Sequence, residues 1–410
     1  MLTNRARLFY GSPLSHPRNA VLIIIGLVVF IAISASSFGK EFSPVTPVGF
    51  QIFFIAVAAS LLLALVPLAI LWFLDRREPE SRWLYVIAVL WGALLATGLA
   101  LPLNNYILAA VDSYVKVHPD AQAIFGAKAG IILGAPIAGP LVEETTKGLG
   151  VVLLFWLLRA EFDDVRDGFI YGALVGIGFN LFEAPLYVLQ GYVATGDVPL
   201  YFQLADRFAL FGLAGHALHT GMFGMGLGLA RQTTRRWLRY AAPVVGWLLG
   251  FSAHFLNNGL GLLVYLYTFI TTGKPFHDES TPKAVSEVIE PFFSQWISHS
   301  CLRLILLFPF LLIVGVMLWQ SGVWERQVIR EELADETEPV ITPEEYEQVK
   351  RDRIFRTRRI PHLKGRTSRA IVRAQDELAI RKWRVKHTGR DVETDPLVAC
   401  WRDELVRLRG

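Results

Sequence analysis

Residues 131–158 read IILGAPIAGPLVEETTKGLGVVLLFWLL. The run is long enough to cross a bilayer, which needs about 20 apolar residues. It nevertheless holds two adjacent carboxylates, Glu143 and Glu144, and an ammonium, Lys147. A charge at such depth is costly, and where a chain keeps one it usually marks a site or an ion path. Neighbouring acids also resist joint ionisation. The cluster therefore calls for a cation, a metal or a shared proton. Pro136 and Pro140 each remove a backbone donor, so a bent approach to Glu143 is expected.

Outward from this stretch, the chain divides in two. It has 410 residues, 53% hydrophobic and 19% charged, but 20 of its 40 Lys and Arg residues follow Trp324. The expected architecture is all-α. Residues 1–324 form a polytopic membrane helix bundle with a catalytic core at about 125–265, and 325–410 form a charged, mainly helical cytoplasmic tail. Eight transmembrane helices are expected, near 21–37, 49–74, 83–103, 126–158, 168–192, 207–230, 238–270 and 302–321. Residues 104–126 are read as an outer loop or short interfacial helix, and 271–300 as a polar outer loop. The basic leader and the small residues Ser34–Ser37 also fit a signal peptide, but the apolar run is nearly long enough to span, and an uncleaved first helix is expected.

Charge assigns the sides. Arg5, Arg7 and Arg18, then Arg76, Arg77 and Arg82, Arg159 and Arg166, and Arg231, Arg235, Arg236 and Arg239 fall on one face with the tail. The other loops hold Lys40, Lys116, Lys274 and Lys283, with Arg207 and Arg303 at helix edges. The positive-inside rule then places both termini in the cytoplasm. The same rule accounts for the net charge of +4 without a nucleic-acid partner. Cys301 and Cys400 fall on opposite sides and are not expected to pair.

In the tail, Thr342-Pro343-Glu344-Glu345 is a helix start, with a capping hydroxyl, a proline in the first turn and a glutamate three residues on. Helices are expected near 343–359, 367–386 and 396–408. Apolar residues are sparse there, so the tail is expected to order only against the membrane or a partner. The cluster RDRIFRTRRI (351–360) suits anionic lipid, or else a solvated helix.

Four more observations bear on the central cluster. Glu144 lies 15 residues from Arg159, Glu183 16 from Asp167, His216 15 from Arg231 and His254 15 from Arg239. At 1.5 Å per residue each sits about 22–24 Å from the cytoplasmic boundary, in one plane of the outer half of a core about 30 Å thick. One buried histidine is more often a packed core residue than a ligand; polar groups on four adjacent spans at one depth reverse that reading. Carboxylates with imidazoles suit zinc, with an open position for water. Glu183, His216 and His254 are the expected metal ligands; either adjacent glutamate can serve as the general base, with Glu144 the first choice and Glu143 then a ligand or orienting group. Lys147 is placed to pair with either carboxylate. Asn258, four residues after His254, shares that histidine's face and is the expected oxyanion donor. Asn257 and His219 are read as structural.

These residues resemble a known family. Glu143-Glu144-Thr145-Thr146-Lys147 matches EExxK, and Phe179-Asn180-Leu181-Phe182-Glu183 matches FxxxE. Arg207 with Gly215-His216-Ala217-Leu218-His219-Thr220 resembles a third motif, and His254-Phe255-Leu256-Asn257-Asn258 matches HxxxN. Together they resemble the PrsW-type intramembrane proteases, within the wider superfamily of CAAX-prenyl-protease-like enzymes. The resemblance covers about 125–265, with one departure: Ala184 stands where relatives often carry Asn. It implies a metal-dependent membrane peptidase with Glu143, Glu144, Glu183, His216 and His254 at the site. It also implies membrane-anchored substrates, anti-sigma factors among them.

Two other readings stay open on the residues alone. Buried Glu and His also build proton- or cation-coupled transporters, which would call for inverted repeats; no repeat is found. An inactive protease-like binder of membrane segments would keep the motifs without cleavage.

Overall fold

The 131–158 stretch does not form one helix. In a computed structural model that describes residues 9–76, 80–125, 130–273, 291–353 and 358–410, it runs as a wide π turn (Gly130–Gly134), one α turn (Ala135–Ala138), a second π turn (Gly139–Glu143) and then α5 (Glu144–Leu157). The bend expected from Pro136 and Pro140 thus takes the form of π turns, which cluster at functional sites.

Around this broken segment stand α1 (Pro17–Phe42), α2 (Pro47–Leu74), α3 (Arg82–Lys116), α4 (Pro119–Phe125), α6 (Val165–Thr195), α7 (Leu200–Arg207), α8 (His216–Gln232), α9 (Arg236–Thr272) and α10 (Phe292–Leu333). No β-strand occurs among the described residues. Among the described residues five helices, α1, α2, α3, α6 and α10, are long and apolar enough to cross a membrane. The rest of the expected eight fall short for a physical reason. Segment α5 has 14 residues and α8 has 17, while α9 is interrupted at mid-length by His254, Asn257 and Asn258. The helices that carry the polar groups are the ones that read least like membrane spans.

Two boundaries differ from expectation in ways that matter to the site. Residues 104–116 are no outer loop; they continue α3 past Pro102 and bring Asn104 beside Glu143. The sixth expected span does not begin at 207. Residues 208–215 form a tight non-helical turn, and His216 opens α8 as its first residue. Lys274 and Lys283 lie outside the described residues, as do Arg5, Arg7 and Arg77.

Buried α6 is the axis of the bundle, with most of its length inside the core. Glycines let α8 lie directly on it: a Cβ on Gly172 would collide with the carbonyl of Thr220, and one on Gly176 with that of His216. Close approach through small residues is how membrane helices associate without a hydrophobic drive.

Helix α10 continues without a break past 324 and carries the tail. The capping box at α11 (Pro343–Lys350) forms as read, Glu345 N–H donating to Thr342 Oγ1 and Thr342 N–H to Glu345. The other tail helices are α12 (Gly365–His387) and α13 (Pro396–Arg409). The expected extension of α11 toward 359 runs into 354–357, outside the described residues. The sparse apolar residues of the tail meet on the end of α10, where Ile329 and Leu333 pack with Val340, Ile341, Ile371, Leu378 and Leu405. The tail therefore orders against its own chain. Arg358, from the basic cluster, is turned inward onto Asp376. Arg384 clasps Asp163 (2.5 Å) and donates to the carbonyl of Arg159 (2.9 Å), in the loop between α5 and α6. Cys301 is exposed, Cys400 buried, and both are free.

At this junction burial, together with the charges of Glu161 and Asp163, pushes the Glu377 carboxyl up to about 8, against a partial counter-effect from Arg373. A carboxyl with a raised folded pKa favours the docked state fully below its usual value of 4.5 and loses that contribution as pH climbs through about 8. Amide exchange in 365–387, corrected for intrinsic rate, should therefore be faster at about pH 8.5 than at about pH 6.5, and Glu377→Gln should flatten the difference. An unchanged pH dependence in that variant would assign it elsewhere.

Candidate active site

All of the polar groups expected in one plane meet. Glu144 is fully engaged: Oε1 accepts from Lys147 Nζ (2.6 Å) and faces His254 Nδ1 (2.8 Å), and Oε2 accepts from Thr220 Oγ1 (2.8 Å). Lys147 is completely buried. It also reaches His216 Nδ1 (2.7 Å) and Glu143 Oε2 (3.7 Å), and lies over the Phe179 ring at 4.3 Å. It pairs with both carboxylates rather than with one.

Glu143 is placed differently. Its Oε1 accepts from Asn104 Nδ2 (3.2 Å). Its Oε2 is buried without a hydrogen-bond partner, 3.8 Å from His254 Nε2 and 3.9 Å from His216 Nε2. Glu143 lines a cavity of about 750 Å³ with Asn104, Glu183, His216, His254 and Asn258, whereas Glu144 does not reach it. Adjacent helical residues point about 100° apart, which is why one glutamate faces the cavity and its neighbour faces the helix core.

His216 is oriented from both sides. Its Nε2 faces Glu183 Oε2 (3.0 Å), and Glu183 in turn accepts from Arg207 Nε (2.9 Å). Arg207 Nη1 donates to Gln203 (2.6 Å), and its guanidinium lies over the Tyr187 ring. His254 Nε2 faces Asn258 Nδ2 (3.1 Å), whose Oδ1 accepts from Asn257. Ligand atoms of Glu144, His216, His219 and His254 lie within 4.8 Å of one another, as do those of Glu143, Glu183 and His216. The expected trio of Glu183, His216 and His254 is thus split: Glu183 and His254 belong to different groups, and His216 to both.

His219, read from the sequence as structural, joins the first of these groups. It is 1% exposed, stacked on His254 at 4.7 Å, with neither ring nitrogen hydrogen-bonded. The spacing His216-x-x-His219 carried that signal. Thr220, four residues after His216 on the same face, was a legible partner too.

Residues 80–273 match the PrsW family of intramembrane metalloproteases. A protein named Protease PrsW from Geobacillus kaustophilus (strain HTA426) is 27% identical over 225 residues, covering 52% of this chain and 88% of the relative. No solved structure matches the chain. The chain is an integral membrane protein, and this likeness supports a peptidase.

Ala184, the departure noted after the FxxxE glutamate, is fully buried. Glu183 needs no partner from that position, because Arg207 and His216 already engage it. The PrsW family is one of metalloproteases, and the residues present fit a metal. A buried imidazole with both nitrogens unpaired is expensive, and three imidazoles with a carboxylate form a nitrogen–oxygen donor set suited to zinc. Lys147 occupies the Glu144–His216 side of the group, and His219 is its one member with both ring nitrogens free of hydrogen bonds.

Proposed function

We propose that this chain is a zinc-dependent intramembrane endopeptidase for membrane-anchored proteins, with Glu143 moving the proton. The observation that carries the reading is Glu143, which lines the cavity and has one carboxylate oxygen free of hydrogen bonds, beside a Glu144 whose oxygens are both occupied. This reverses the expected roles of the two glutamates.

Glu144, His216, His219 and His254 would hold the ion. When bound, zinc supplies Lewis-acid polarisation of the scissile carbonyl. Glu143 accepts a proton from the attacking water and returns it to the leaving amine. Asn258, exposed to the cavity, offers its amide to the developing oxyanion. Arg207 holds Glu183 as an acceptor for His216, which fixes that ring's orientation and tautomer.

Eight passes follow from the five long helices together with α5, α8 and α9. The arginine-bearing ends of these segments lie on the side to which the tail docks, and we place both termini in the cytoplasm of a bacterial plasma membrane. The site then lies in the outer half of the bilayer, and scission falls in the outer third of a substrate's membrane segment or just beyond it. Anti-sigma-like proteins with one span have the right form. Arg351, Arg353 and Arg359 at the tail's exposed edge suit anionic headgroups.

Elemental mass spectrometry of detergent-purified protein tests the metal. About one zinc per chain is expected, lost in His219→Ala/His254→Ala and in His216→Ala/His254→Ala. A second reading is favoured by Lys147, which already closes the Glu144–His216 network with an ammonium. No stoichiometric metal in an active preparation would select that metal-free acid–base site and reject zinc. Cleavage is to be followed with a library of single-span reporter proteins tagged on both sides. A scission site mapped to the cytoplasmic side would overturn the topology.

A further inference from the structure

The turn before His216 is held in an unusual backbone conformation by a helix outside the family segment. Leu210, Phe211 and Gly212 have φ of +47°, +59° and +73°. That region suits glycine, and a leucine and a phenylalanine enter it only where their surroundings over-determine them. Three side chains of α10 supply the constraint. Trp296 Nε1 donates to the carbonyl of Phe208 (2.8 Å), Ser300 Oγ accepts from the N–H of Leu210 (3.0 Å), and Arg303 Nη1 donates to the carbonyl of Ala214 (3.0 Å). Arg303 is 5% exposed, tied to Asp206 at 2.8 Å, and packs so closely under Gly215 that a Cβ there would meet its guanidinium at 2.9 Å. The donors and acceptor are spaced one helical turn apart or less along α10, so one face grips both ends and the middle of the turn. His216 follows immediately, as the first residue of α8.

We propose that Trp296, Ser300 and Arg303 are positioning residues for the peptidase reaction, clamping the left-handed 208–215 turn so that His216 faces Glu183 and Glu143. The catalytic unit therefore extends beyond 80–273 to the outer half of α10. This rests on the reading of His216 as part of the reacting centre.

The test uses variants of the full chain that remove one hydrogen bond and little volume: Ser300→Ala and, in case that one does not fold, Trp296→Phe. Each should lower kcat on the selected single-span reporter about tenfold with KM unchanged, since misplacing a reacting group costs rate rather than uniform binding. Amide exchange in 208–215 should rise while the rest of the bundle keeps its protection. Phe211→Gly added to Ser300→Ala should restore most of the lost kcat, because glycine takes a positive φ without the clamp. Wild-type kcat in both single variants overturns the proposal. So does lost kcat with unchanged exchange in 208–215, or with no recovery on adding Phe211→Gly. If His216→Ala keeps full activity, the reading of the site fails instead, and the exchange data still report whether the clamp exists.

Discussion

Glu143→Gln is expected to lower kcat about 10²–10⁴-fold, the range for loss of a general acid–base group, with little change in melting temperature. The amide keeps the size of the carboxyl and still offers an oxygen to Asn104, while the atom it alters, Oε2, makes no hydrogen bond and loses only a 3.7 Å ion pair with a Lys147 that Glu144 still balances at 2.6 Å. Glu144→Gln is expected to behave differently. Oxygens of Glu144 serve Lys147, Thr220 and His254, and removing its charge leaves a fully buried ammonium without its nearest counter-ion. That variant should lose activity and stability together. The comparison is made with reporter turnover and thermal unfolding on the same preparations. If Glu144→Gln kept its stability and lost turnover while Glu143→Gln stayed active, the assignment of the proton-moving role would be wrong.

Lys147→Met should produce the largest loss of stability of any single change in the bundle. The ammonium is 2.6 Å from Glu144, 3.7 Å from Glu143 and 2.7 Å from His216, with no solvent contact. Methionine fills the volume but leaves two buried carboxylates without the ammonium they share. Breaking a buried pair by removing one partner costs about 3–5 kcal/mol, whereas replacing both partners with neutral groups is much milder. Adding Glu144→Gln to Lys147→Met should therefore recover a large part of the loss. Unfolding of the four members of this double-mutant cycle measures the coupling directly. Additive effects would mean that the ammonium and carboxylate do not interact in the way their separation implies.

The convergence of Glu143, Glu144, Glu183, His216 and His254 was readable because ionisable groups are conspicuous in apolar helices, and because depth can be counted from the nearest charged end. The count treats each span as one regular helix. It therefore says nothing of Asn104, which lay beyond the expected end of the third span, and nothing of the turn that makes His216 the first residue of its helix. The roles of Glu143 and Glu144 were not separable from spacing, since which of two neighbours faces a cavity depends on the rotation of a helix already distorted by π turns. His219 was read as structural; its surroundings, with both ring nitrogens unpaired, became visible only once α8 and α9 were packed together. The tail helices were legible from caps and periodicity, but their docking was not, because the eighth span was expected to stop at 321, and Ile329 and Leu333 offer a packing face only once α10 continues through them.

The two π turns before Glu144 also bear on how insertions and deletions are tolerated. Each wide turn accommodates about one residue more than an α turn, so each behaves as a one-residue insertion absorbed within a helix. Closing one of them to α geometry with no residue removed would rotate everything on its N-terminal side by about 100° relative to the glutamates. Pro136 and Ala138 would then leave the faces they now present to α9 and the cavity. Removing one residue from Gly139–Val142 as the turn closes would instead leave both flanks aimed as they are. In an alignment, a one-residue gap placed there would mark a π turn closed to α with its site still in register.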